Sequence, residues 1–177
     1  MIPGGAGYVG AWLVPQLLAE GHKVTVYDTM FFGDGHLPTD NGNLTVIKAD
    51  VRSVKNMNEA SMGQDVVICL AAISSEEMCQ RNLILARTSN MGGMMSVAVS
   101  AKEAGVKRFI FASSVAAYGS SETNAVETDE LRPTTIYGEC KKYAENEVLT
   151  VIPTATIVRS ASVCGYSPHQ RLDLTVN

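Results

Sequence analysis

Apolar positions along this chain recur at helical spacing, then at strand spacing, and the two patterns alternate to the end. Over residues 9–20, Val9, Leu13, Leu17 and Leu18 fall on one helical face, and Gly21 closes the run. Pro15 within it lacks an N–H and is expected to kink or weaken the helix. Residues 23–28 read as a strand, 29–42 as a loop rich in Gly and Asp, 44–49 as a strand and 53–62 as a short helix. The near-continuous apolar run at 65–71 is what a strand covered on both faces requires. One long helical stretch follows over 76–105, with Gly92-Gly93 as a point where it can break. A strand at 106–112, a helix at 135–149 and a strand at 155–159 complete the pattern, with no repeat and no low-complexity tract.

Such alternation predicts an α/β fold, a doubly wound parallel sheet of Rossmann-like type with helices on both faces. The expected strands end at Asp28, Asp50, Ala72, Ser114 and Arg159, so polar and small residues collect where this architecture binds ligands. The glycine-rich stretch from Gly4 to Gly10 should follow the central strand, but only Met1, Ile2 and Pro3 precede it. A strand usually takes about five residues, and Pro3 has no donor for a central ladder. The first strand is therefore expected to be missing or vestigial. Residues 172–177 read as the start of another element.

The 177 residues suffice for one domain with a proper core, and 46% hydrophobic with 18% charged residues is ordinary for a globular chain. A net charge of -4 and isolated basic pairs (Lys107-Arg108, Lys141-Lys142) give no nucleic-acid footprint. Cys69, Cys79, Cys140 and Cys164 show no C-x-x-C spacing, which predicts free, mostly buried thiols and no metal site. No basic segment precedes an apolar one at the N-terminus and no apolar run is long enough to span a bilayer, so a cytoplasmic protein with no membrane partner is expected.

The candidate chemistry lies in six places, each with an ordinary reading of its own. Gly4-x-x-Gly7-x-x-Gly10 can bring backbone up to a pyrophosphate at a helix N-terminus, or simply make a turn. Asp28 can accept from ribose hydroxyls and repel a 2′-phosphate, favouring NAD over NADP, or cap a turn. Asp50 can accept from an adenine amino group while Val51 packs on the ring, or serve a strand-to-helix turn. Leu70, Ala71 and Ala72 can bed a cofactor close to the backbone, or fill the core. Ser114 can donate to a substrate oxygen, and Tyr137 and Lys141, four apart on one helical face, can form a phenol base beside an ammonium. Such serines are also common in turns and such pairs on solvated faces. Together in one order these are harder to dismiss, because every ordinary reading would have to coincide.

With these motifs in hand, the chain resembles the extended short-chain dehydrogenase/reductases, the NAD-dependent sugar-nucleotide epimerase/dehydratase family. The resemblance covers nearly all of it: the cofactor turn from Gly4 through Tyr8 and Val9 to Gly10; Ala49-Asp50-Val51-Arg52; Cys69-Leu70-Ala71-Ala72; Asn90; residues 101–114; and the Tyr137-x-x-x-Lys141 segment. It implies NAD as cofactor, held by Gly4, Gly7, Tyr8, Val9, Gly10, Asp28, Asp50, Val51, Leu70, Ala71, Ala72, Asn90, Tyr137 and Lys141. It implies catalysis by Ser114, Tyr137 and Lys141, with Lys141 lowering the tyrosine pKa and hydrogen-bonding the nicotinamide ribose. Ser114, Ser162 and Arg171 are the implied substrate contacts. Dehydratases of this family carry an Asp-Glu pair after the catalytic Ser/Thr; Val115-Ala116 stand there and cannot eliminate water. The expected function is NAD-dependent nucleotide-sugar epimerisation. A non-catalytic NAD-binding module or fragment, and an NADH-dependent keto-sugar reductase, are the alternatives. The resemblance also implies a homodimer through residues 91–102 and 135–149, an NAD-binding domain over 1–160, and the start of a truncated substrate lobe over 161–177.

Overall fold

The computed structural model describes residues 1–34, 36–120 and 124–172. Its strands are β1 (Ile2–Pro3), β2 (Val24–Asp28), β3 (Leu44–Lys48), β4 (Val66–Cys69), β5 (Arg108–Ser114) and β6 (Thr156–Ser160). The helices are α1 (Gly10–Ala19), α2 (Val54–Ser61), α3 (Glu76–Arg81), α4 (Leu83–Arg87), α5 (Gly93–Glu103) and α6 (Ile136–Val151). β1, β2 and β3 pair in parallel, as do β4, β5 and β6.

Three short residues join these triplets. On one side Ile2 lies opposite Val26 and Pro3 opposite Tyr27. On the other, the Met1 nitrogen donates to the Val66 carbonyl at 2.7 Å, Ile68 N–H to the Met1 carbonyl at 3.0 Å and Leu70 N–H to the Pro3 carbonyl at 2.8 Å. The strands therefore run β3-β2-β1-β4-β5-β6, the doubly wound order whose direction reverses between β1 and β4. The central strand is vestigial and still continuous. The donor that Pro3 lacks falls opposite the Ile68 carbonyl, and the N–H groups of Ile68 and Leu70, donating to the Met1 and Pro3 carbonyls, carry the ladder with β4 past it, while Gly4 N–H donates to the Tyr27 carbonyl on the β2 side.

Apolar clusters pack on both sides of this sheet. Ile2, Val14, Leu18 and Val26 gather under α1. Met94, Val97, Phe109, Phe111, Ala144 and Val148 pack between the β4–β6 strands and α5 and α6. Burying each large side chain there contributes about 1.5–3 kcal/mol. The α5 and α6 faces that the resemblance assigns to a partner thus meet each other within the chain, at least in part. Helix α1 runs through Pro15 without a break.

The long helical stretch at 76–105 divides, though not at Gly92-Gly93. Asn82 leaves helical geometry (φ -145, ψ 83), and its side chain caps α4 by accepting Leu85 N–H. A π turn then occupies Thr88–Gly92 and leads into α5. Its wider spacing turns Asn90 inward, where 1% of the residue is exposed. All four cysteines are free; Cys69, Cys79 and Cys140 are buried and Cys164 is exposed. Among the described residues no helix is long and apolar enough to cross a membrane. Residues 161–172 form no regular element and fold back over the glycine turn. The further element read at 172–177 lies, beyond Leu172, outside the described residues.

Candidate active site

The glycine turn is tied to both neighbours of β1. Gly4 has φ +82, and a Cβ there would stand 2.4 Å from the Ala71 backbone nitrogen, so β1 and β4 approach at this point only without a side chain. A Cβ on Gly10 would meet the Gly5 carbonyl at 2.2 Å, which would prise α1 off the turn. No side chain caps α1 and no acid stands in its first turn. Its positive end is open to an anion such as a pyrophosphate. Tyr8 and Val9 lie between these glycines, and the Tyr8 hydroxyl donates to the Gly165 carbonyl at 2.5 Å.

Asp28 closes β2 beside this turn. Its carboxylate accepts Ala6 N–H at 3.1 Å and Met30 N–H at 3.0 Å. That fixes an acceptor next to the glycines with lone pairs left for a hydroxyl. Asp50 is engaged more closely than its sequence position indicates. Arg52 donates to it from Nε (2.9 and 3.0 Å) and from Nη2 (2.6 Å), and this pair holds the Asp50 carboxyl below the usual range. An adenine amino group would have to share that carboxylate with Arg52. An open cleft beside it is lined by Asp50, Arg52, Thr88 and Ser96. Asn90, expected to touch a cofactor, clamps the main chain of Ile73, accepting its N–H at 2.8 Å and donating to its carbonyl at 3.0 Å. It secures the Leu70-Ala71-Ala72 bed from behind.

Ser114, Tyr137 and Lys141 converge where α6 meets the turn after β5. Ser114 Oγ accepts Ala116 N–H at 3.1 Å, which leaves its O–H to donate. Gly138 sits so close to this turn that a Cβ would lie 2.4 Å from the Ala116 carbonyl. Lys141 is 2% exposed; its Nζ donates to the Ala112 carbonyl at 2.6 Å and lies 5.5 Å from the Tyr137 ring centroid. The electrostatics differ from the simple ammonium–phenol expectation. Burial pushes the Tyr137 phenol up to about 12, with Cys79 adding to the rise and Arg171 opposing it. Burial likewise lowers Lys141 to about 8, against the opposing effects of Cys69, Glu145 and Cys140. Desolvation favours the neutral form of each, and the ammonium is spent on a carbonyl of β5.

The lysine has a consequence for stability. The unfolded chain keeps its ammonium up to the ordinary value of 10.5, whereas the folded chain sheds it near 8. Between those values the unfolded state binds the extra proton, so stability rises with pH; below 8 the cost of the buried charge is present in full. Lys141→Met should therefore be more stable than the parent at pH 7, by roughly 1–3 kcal/mol. The advantage should shrink as pH approaches 10, which denaturant titrations across pH will read.

Two acidic residues that the motifs did not flag support this corner. Glu145, one turn beyond Lys141 and 2% exposed, pairs with Arg159 at 2.7 Å and accepts from the Ser113 hydroxyl. Arg159 also donates to the Tyr118 hydroxyl at 2.8 Å and the Glu127 carbonyl at 3.1 Å. Spacing contained that signal: Tyr137, Lys141 and Glu145 recur every four residues. Glu76 accepts the N–H groups of Ile136 and Tyr137 at 3.2 and 2.9 Å from sixty residues away, and nothing in the local sequence marks it. Of the expected substrate contacts, Arg171 reaches Ser74 Oγ at 2.7 Å. Ser162 is exposed and makes no hydrogen bond among the described residues.

A parallel sheet with a glycine turn at its switch point, and a Ser/Tyr/Lys corner beyond it, makes a Rossmann-like arrangement with its candidate site at the switch point. The model of the NAD dependent epimerase/dehydratase family matches residues 1–175, and the chain belongs to that family. It is 30% identical to a UDP-glucose 4-epimerase of Lacticaseibacillus casei over 141 residues, 78% of this chain and 42% of that protein. It is also 30% identical to a UDP-N-acetyl-alpha-D-glucosaminuronate decarboxylase of Bacillus cytotoxicus, over 80% of this chain and 43% of the relative. The solved structure of MoeE5 in complex with UDP-glucose and NAD superimposes with a TM-score of 0.81 at 28% identity, covering 98% of this chain and 56% of that one. The chain spans about half the length of the relatives it matches.

Proposed function

We propose that this chain carries the NAD-binding and proton-transfer half of a nucleotide-sugar epimerase. The observation that supports it most is the corner at the N-terminal end of α6, where Tyr137 and the buried Lys141 meet the turn opened by Ser114. Tyr137 Oη takes the proton of a sugar hydroxyl, and Ser114 donates its O–H to the same oxygen as a ketone forms. Lys141 fixes positive charge under the phenol and against β5. NAD, when bound, would supply hydride acceptance and donation at the sugar carbon whose hydroxyl Tyr137 and Ser114 hold. The glycine turn, Asp28 and the Leu70-Ala71-Ala72 bed orient it, Asn90 acting through Ile73. A 4,6-dehydration is disfavoured because Val115-Ala116 offer neither acid nor base. Residues 161–172 open the side on which the nucleotide sugar lies, with Arg171 as the diphosphate partner and a homodimer as the assembly.

A non-catalytic NAD-binding module is the second reading. What favours it is the Tyr137 phenol at about 12, far from a base at neutral pH before any further charge arrives. Incubation with UDP-glucose and substoichiometric NAD⁺ separates the two. An epimerase interconverts the 4-epimers without net NADH, as read by NMR of the sugar. In a parallel incubation of a 4-keto-sugar nucleotide with added NADH, net consumption of NADH marks a reductase instead, and no conversion in either incubation with NAD⁺ bound marks the module.

A further inference from the structure

We propose that Glu76 is a positioning residue for the Tyr137 corner, its carboxylate serving as the cap of a helix to which it does not belong. The inference rests on the reading of Tyr137 as the reactive group, and its test has a readout independent of that reading.

A helix start leaves its first N–H groups without intrahelical partners. In α6 the Thr135 hydroxyl takes Gly138 N–H at 3.0 Å, and the Thr135 carbonyl takes Glu139 N–H at 2.9 Å. The two amides that remain, Ile136 and Tyr137, belong to the segment that aims the tyrosine. Both go to Glu76, one to each carboxylate oxygen, at 3.2 and 2.9 Å. A full negative charge at the positive end of a sixteen-residue helix is the favourable arrangement. The carboxylate is itself held, because Gln80 Nε2 donates to Oε1 at 3.0 Å. Burial works against its charge, but bonds from Tyr137, Gln80 and Ile136 outweigh that and keep the carboxyl below its usual range.

The connection runs further back. Glu76 opens α3, three residues after Ile73, whose main chain Asn90 clamps from the π turn. Ile73 directly follows the Leu70-Ala71-Ala72 bed. A short rigid path therefore joins the end of β4 to the tyrosine helix, so that cofactor bed and phenol are set relative to each other. A misplacement of about 1 Å at a reacting group is enough to lower a rate by roughly a hundredfold.

Amide hydrogen exchange on the 177-residue chain, with ¹³C-labelled tyrosine, tests this. Glu76→Ala should accelerate exchange at Ile136 and Tyr137 roughly tenfold. Gly138, still held by Thr135, should keep its protection, and the Tyr137 ring resonance should move. Glu76→Gln keeps one acceptor oxygen and should accelerate them less; it also keeps the test readable if the alanine variant folds poorly. Glu77→Ala, which removes only an exposed ion pair with Arg81, should change none of these signals. Unchanged exchange at both amides, loss of protection at Gly138 alongside them, or an unmoved Tyr137 resonance would overturn the proposal. Where turnover is measurable, kcat should fall in Glu76→Ala with KM for the nucleotide sugar retained. A chain without turnover leaves the exchange test intact and counts only against the epimerase reading.

Discussion

Glu145→Ala should cost about 3–5 kcal/mol, the cost of stripping one partner from a buried ion pair. The carboxylate is 2% exposed and the Arg159 side chain 18%, so water cannot fully replace what is lost. The same carboxylate bonds the Ser113 hydroxyl on β5, and Arg159 reaches on to Tyr118 and the Glu127 carbonyl. One substitution therefore loosens α6, β5, β6 and the segment after Tyr118 together. Against a total stability of roughly 5–15 kcal/mol, that would leave much of the chain unfolded at moderate temperature. Removing both charges at once, as Glu145→Leu with Arg159→Met, should recover most of the loss, because the cost lies in the orphaned guanidinium. Urea titrations of the single and double variants give the numbers. A loss below about 1 kcal/mol for Glu145→Ala would place the pair in the class of surface bridges and contradict the account.

The second large effect is on chemistry. Tyr137→Phe should lower turnover by roughly 10²–10⁴-fold while leaving the fold and NAD⁺ affinity in place. The phenol oxygen is the only heavy atom removed, and the approach of the ring to Lys141 is kept. Since burial puts the parent phenol at about 12, turnover in the parent should also climb with pH through the neutral range. That limb should vanish in the phenylalanine variant. Activity that survives the substitution, or a flat pH profile in the parent, would remove Tyr137 from its role as base.

Much of this was legible because period and composition are local properties. The alternation of apolar strands with helical runs marks nearly every element, and the small and polar residues at the strand ends mark the ligand edge of the sheet. The central strand was half legible: three residues, one of them a proline, announced a weak β1, but only the ladder to Val66, Ile68 and Leu70 establishes that it still joins the halves. The π turn was hidden, since one extra residue in a helical run leaves the apolar pattern almost unchanged. At the site, the Tyr137–Lys141 spacing gave the pair and not its electrostatics. Spacing reports neighbours, whereas desolvation depends on everything packed around them, and here it reverses the expected shift of the phenol. Arg52 on Asp50, two residues away, shows the same gap between adjacency and partnership. Glu76 had no local signal, because its partners lie across sixty residues of chain.

The central claim is that this chain forms a bed for NAD at the switch point of its sheet. Calorimetric titration of NAD⁺ into the 177-residue chain, with circular dichroism confirming the fold, tests it most directly. The account predicts saturable binding at one site per chain. A folded chain that takes up no NAD⁺ would contradict it.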